Sequence, residues 1–157
     1  MGLDMYLTVR TDFYEYFMGD EKYAAVQTAV RNTLGTPPEF KATSVAYEVM
    51  YWRCANAIHK WFVDNVQEGV DECQESYVSV DQLETLLDVC RRVLEDNSLA
   101  SQLLPTESGF FFGPTEYDEW YFENVRNTYE GLGRVLDFMR AKESVQTERW
   151  GLYYQAS

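Results

Sequence analysis

The sequence predicts an α+β fold in one domain, residues 1–157, with a mainly antiparallel sheet packed against about four helices. Three observations lead there. Apolar residues alternate with period two near both ends and in the middle of the chain. Four longer stretches carry them with the helical period of 3.6. The two kinds are interleaved, with no internal repeat, low-complexity tract or domain-breaking linker.

The elements follow in order. Leu3, Met5, Leu7 and Val9 alternate with polar neighbours and predict a half-buried first strand. Residues 12–17 are aromatic and give no clear pattern. Asp20 is placed to cap a helix over residues 21–34, with Tyr23, Val26, Val30 and Leu34 on one stripe and Gly35 closing it. Thr36, Pro37 and Pro38 stop that helix. From Thr43 to Trp52 the residues are β-branched and aromatic, which predicts a strand with Val45, Tyr47, Val49 and Tyr51 on one face.

Beyond Arg53 the period changes. Ala55, Ile58, Phe62 and Val66 form a core stripe, Asn56, His59 and Val63 lie beside it, and Gly69 is the expected stop. Residues 70–76 read as an acidic connection and Tyr77-Val78 as a short strand. Ser79 with Gln82 is a capping box ahead of Leu83, Leu86, Leu87, Cys90 and Leu94. Residues 96–104 read as a loop or short turn, and residues 110–112 as a compact strand between two glycines. Thr115 with Asp118 is expected to cap a last helix that turns Trp120, Tyr121, Val125, Thr128, Leu132, Val135, Leu136 and Met139 inward. Gly131 and Gly133 weaken that helix by about 1 kcal/mol each relative to Ala unless something packs closely there. Residues 147–154 predict a final strand.

The chain holds 13 Lys and Arg against 26 Asp and Glu, a net charge of −13, and 16% of it is aromatic. The acidic surplus lies in residues 61–124, which carry two Arg against 15 carboxylates. So acidic a chain does not bind nucleic acid directly through a general basic surface. Cys54, Cys73 and Cys90 make no CxxC pair and no zinc spacing, and an odd count fits a reducing compartment. No basic-then-apolar leader opens the sequence and no apolar run approaches a membrane span, so a cytoplasmic protein with no membrane contact is expected.

Residues 45–63 gather the groups best suited to hold a small ligand. Arg53 can fork onto a phosphate or carboxylate, while Tyr51, Trp52 or Trp61 offers a face for a base. Asn56 can read a polar edge, and His59 and Lys60 can donate to anionic oxygens. A second aromatic block, with Phe111, Tyr117 and Trp120, supplies an opposite wall. The same residues serve equally well as two packed halves of a core. His59 is the chain's only histidine and the one residue suited to proton transfer. With no second histidine, no nucleophile motif and no phosphate loop, the residues do not indicate an enzyme, and neither a metal nor a cofactor is expected. Carboxylate pairs such as Glu116 with Asp118 read as a solvated helix start.

The blocks MGLDMYL, YWRCANAIHKWFVDNVQ and LLPTESGFFFGPTEYDEWYFENV together cover about half the chain. In order and wording they resemble a family of small uncharacterised bacteriophage and prophage proteins. The chain departs from that pattern at Cys54, where a basic residue is expected after YWR, which places this position outside any essential site. The resemblance implies an accessory phage gene and, with it, a role against host defence in the cytoplasm of an infected bacterium.

Three functions follow as expectations. The first is a sponge that sequesters a nucleotide-derived host immune signal without turning it over. The second is an acidic inhibitor that mimics nucleic acid and blocks a basic surface of a host defence protein. The third is an enzyme acting on such a signal through His59. Edge strands at both termini and an aromatic surface would also suit a homo-oligomer.

Overall fold

A computed structural model of the chain describes residues 3–109 and 112–157. Four strands form one antiparallel sheet: β1 (Asp4–Asp12), β2 (Ser44–Arg53), β3 (Ser76–Val78) and β4 (Trp150–Ala156), in the spatial order β2-β1-β4-β3. The first and last strands lie side by side at the centre. The edges are therefore β2 and β3, not the terminal strands, which removes the edge-strand argument for self-association from the termini.

The helices are α1 (Glu15–Met18), α2 (Asp20–Leu34), α3 (Asn56–Asn65), α4 (Val80–Glu95), α5 (Ala100–Leu103) and α6 (Glu119–Lys142). Four of them, α2, α3, α4 and α6, are long, as the periodicity predicts. A 3-10 turn, Asn97–Leu99, and α5 occupy the stretch expected to be loop or turn. The Ser79 capping box forms: its hydroxyl accepts from Gln82 N, and Gln82 Oε1 accepts from Ser79 N. Other boundaries move. Gly19, not Asp20, precedes α2. Asp118, not Thr115, caps α6, its carboxylate accepting from Tyr121 N. Helix α3 stops at Asn65, ahead of Gly69. The strand expected at residues 110–112 falls partly outside the described residues, and Phe112 itself sits in a turn.

β1 alternates as a half-buried strand should. Leu3, Met5, Leu7, Val9 and Thr11 are buried under the helices, and the residues between them face the other way. β2 does not keep its alternation. Leu7 pairs with Met50 and Thr8 with Glu48, so Val49 is an extra residue in the ladder. Beyond this bulge the faces exchange: Val45 and Tyr47 share the inner face with Met50 and Trp52, while Tyr51 points outward.

The core lies between the inner face of the sheet and α3, α4 and α6. Tyr154, Phe62, Leu7, Ile58, Leu83, Leu132 and Leu136 are among its fully buried side chains. Removing each from water contributes about 1.5–3 kcal/mol. Gly131 explains how α6 comes so close to β2: a Cβ there would stand 2.0 Å from Met50 Sδ. Trp120 departs from the expected inward stripe of α6 and is 49% exposed. Helix α2 is held more loosely. Its only buried residue is Gln27, which exchanges two bonds with the backbone of Ala42, and Leu34 is 70% exposed.

Candidate functional site

The strand-to-helix stretch occupies the place where β2 turns into α3, with Cys54 at the corner in a left-handed conformation, φ 51°. Most of the polar groups singled out there already have partners inside the protein. Trp52 is 3% exposed, and its Nε1 donates to Thr128 Oγ1 at 2.8 Å. Asn56 is 4% exposed and holds the backbone of Glu107 twice: Nδ2 donates to the carbonyl and Oδ1 accepts from the N–H, both at 2.6 Å. A weaker bond runs from Nδ2 to Gly113 O at 3.4 Å.

His59 is 1% exposed, with Nδ1 2.7 Å from Tyr154 Oη and Nε2 3.0 Å from Asp71 Oδ2. A carboxylate only accepts, so Nε2 carries the proton toward Asp71 and, in the neutral ring, Nδ1 accepts from the Tyr154 hydroxyl. Burial, with Asp71 adding to it, holds the Tyr154 phenol protonated far above its ordinary range. Phe112 lies against the ring, centroids 5.0 Å apart. Neither ring nitrogen is left to meet a substrate.

The remaining residues of the stretch point elsewhere. Tyr51, on the outer face, donates to Asp4 Oδ1 at 2.5 Å, and this bond raises its pKa. Arg53 is exposed at the end of β2 opposite Asp4. Lys60 donates to Asp64 one turn on, at 2.5 Å, which raises its pKa. Tyr117 accepts from Thr106 N at 3.1 Å. Phe111 lies outside the described residues. The structure does bring Asn56 and Trp120 together, with Cys54 and Thr106, around a cavity of about 20 Å³. That is room for a single water and not for a nucleotide. Arg53 and His59 are not among the residues that line it.

A larger space opens further along β2 and α6. Val9, Tyr47, Glu48, Val49 and Trp150 from the sheet and Gly131, Arg134, Val135, Phe138 and Lys142 from α6 line a groove of about 570 Å³. This lies within the range of small-molecule sites, roughly 300–1,000 Å³. Tyr47 is 55% exposed and its ring centroid is 6.2 Å from that of Trp150; Phe138 meets Trp150 edge-on at 5.1 Å. Arg134 is exposed and makes no ion pair among the described residues. Lys142 donates to Glu148 Oε1 at 2.9 Å. Lys22 and the Trp150 indole also donate to that carboxylate, at 2.8 and 3.0 Å. Led by the Lys22 bond, these donors hold Glu148 down at about 2.

A neighbouring groove of about 840 Å³ is larger, but its cations are engaged: Arg140 and Lys142 are paired with Glu84 and Glu148, and Arg149 lies over the Phe17 ring, Cζ 3.7 Å from the centroid. The aromatic groove sets its stacking faces beside Arg134, a cation that among the described residues is engaged by neither an ion pair nor an aromatic ring. Sequence reasoning did not nominate Arg134, Phe138 or Trp150. The one cue was Gly131, a helix-weakening residue that called for a close neighbour, which proves to be Met50 of β2 beside this groove.

Comparison with family models, curated proteins and solved structures finds no match to this chain. No described helix is long and apolar enough to cross a membrane, and no described cluster of His, Cys, Asp and Glu is arranged to hold a metal ion.

Proposed function

We propose that the protein is a phage accessory protein that binds a small nucleotide-derived host immune signal in the groove between β2 and α6 and sequesters it without turnover. One observation carries this reading: Tyr47, Phe138 and Trp150 face a groove of nucleotide size that Arg134 enters with its charge uncommitted. Aromatic rings offer stacking faces to a base, and the planar guanidinium can fork onto a phosphate. Lys142 stands beside it, shared with Glu148. Of the charged residues on the lining, Arg134 and Lys142 are cationic and Glu48 is acidic, so the groove is less acidic than the chain as a whole.

Sequestration without chemistry is supported by the state of His59, whose ring nitrogens face Tyr154 and Asp71. The resemblance to phage proteins supplies the biological setting, the cytoplasm of an infected host. Isothermal calorimetry with cyclic nucleotides and ADP-ribose tests the reading, followed by mass spectrometry of the ligand recovered after denaturation. Saturable binding with the ligand recovered intact supports it. Absence of retention by both classes removes it.

A second reading, an acidic inhibitor that blocks a basic surface of a host protein, is favoured by where the acidic surplus lies. Asp64 on the last turn of α3 and Glu68, Asp71, Glu72 and Glu75 on the segment between α3 and β3 are all exposed. Charge reversal at Glu68 and Glu72 leaves the His59–Asp71 bond in place and weakens binding to a basic host protein under this reading.

A further inference from the structure

The outer face of the sheet is uncovered. None of the outward-facing residues of its four strands is buried, from Asp4, Tyr6, Thr8 and Arg10 on β1 to Tyr77 on β3. Every strand contributes a tyrosine. Tyr51 and Tyr6 are paired across β2 and β1 with centroids 5.4 Å apart, and Tyr153 and Tyr77 across β4 and β3 at 6.0 Å. Tyrosine supplies broad, stiff, half-polar contact area at low entropic cost, which suits it to protein interfaces.

This face already holds one guanidinium of its own. Arg10 Cζ lies 3.9 Å from the centroid of the Tyr153 ring, and Arg10 Nη1 donates to Glu75 Oε1 at 3.2 Å. The ring lies back over Gly151, where a Cβ would come within 2.9 Å of its hydroxyl oxygen. Carboxylates surround the tyrosines: Asp4, Asp12 and Glu48 on the strands, and Glu72 and Glu75 on the loop along one edge. The bond from Gln155 Nε2 to Cys73 O, 2.9 Å, holds that loop there. Against them stand Arg10, already paired, and Arg53. An aromatic surface with excess carboxylate complements a guanidinium, which can stack on the ring and fork onto the acid.

We infer that the open tyrosine face of the sheet is a docking surface for a protein partner that presents arginines. The inference rests on the second reading above, names the chemistry of contact for it, and is independent of the groove. A second copy of this chain is disfavoured as the occupant, because two such faces would set carboxylates against carboxylates on chains of net charge −13. Nucleic acid is disfavoured by the same charge.

The full chain is titrated by calorimetry with poly-arginine and poly-lysine peptides of equal length at physiological salt. The affinity common to both peptides reports the acidic surface, and the preference for arginine reports the tyrosine face, so the two ideas fail separately. Arginine is expected to bind about tenfold tighter. The Tyr51→Ala/Tyr77→Ala double variant should abolish that preference, and phenylalanine at both positions should keep it. These side chains are 47% and 64% exposed, so folding of the variants is expected to persist. Amide-exchange protection by the arginine peptide over β1 and β4 is the second readout. Equal affinity for the two peptides, or a preference untouched by the alanine variant, overturns the inference. So does self-association, or binding of a single-stranded oligonucleotide, mapped to the same face.

Discussion

Asn56 grips Glu107 from both sides of one residue: its amide nitrogen donates to the Glu107 carbonyl and its amide oxygen accepts from the Glu107 N–H, each at 2.6 Å. One buried side chain at the start of α3 thereby fixes a loop about fifty positions further along the chain. Replacing it with alanine leaves two backbone groups without their partner, at a cost of about 1–3 kcal/mol. Chemical denaturation of Asn56→Ala should read that loss, and amide exchange should rise first in residues 105–109.

Tyr154→Phe keeps the ring stacked on Phe62, 3.9 Å between centroids and 7° from parallel, and removes only the hydroxyl that His59 Nδ1 faces. The buried nitrogen is then left without its donor. A loss of about 1–2 kcal/mol is expected in urea unfolding, with the fold unchanged by circular dichroism. Stability equal to the parent would show that the bond carries no weight.

The two glycines of α6 should answer differently to alanine. Gly133 faces open space, so Gly133→Ala should raise stability by up to about 1 kcal/mol through helix propensity. Gly131→Ala should forgo that gain, because its methyl meets the Met50 thioether. Thermal melts of both variants check the contrast: Gly133→Ala should melt above the parent and Gly131→Ala should not.

Glu148 makes the fold acid-sensitive in a defined window. Its pKa is lowered in the folded state, from 4.5 to about 2, first by the Lys22 bond and then by Lys142. A depressed folded pKa means stability that is present above the unfolded value and is lost as pH falls toward the folded one. The advantage of the parent chain over Glu148→Gln should therefore be constant near neutrality and shrink between pH 4.5 and 2, as read by unfolding curves at a series of pH values.

What the sequence discloses follows the range of the interactions. The capping box at Ser79 and the alternation of β1 are local, and both are plain in the residues. The bulge at Val49 is not, because Val45, Tyr47, Val49 and Tyr51 continue an unbroken alternation while the ladder with β1 slips by one. That slip separates Tyr51 from Tyr47 and sends each to a different surface. His59 could not be read as structural from α3 alone, since its partners lie 12 and 95 positions away. The groove is least legible of all: Tyr47 meets Trp150 across β1 of the sheet, and Arg134 joins them where α6 approaches β2 at Gly131.

Calorimetry on two single variants separates a ligand site at Arg134, as proposed above, from one at Arg53. Both arginines are exposed, so either can be removed with little expected effect on the fold. With ADP-ribose and cyclic nucleotides as probes, saturable binding is expected, which Arg134→Ala weakens about tenfold or more and Arg53→Ala leaves unchanged. Binding that survives Arg134→Ala and is lost in Arg53→Ala would contradict it.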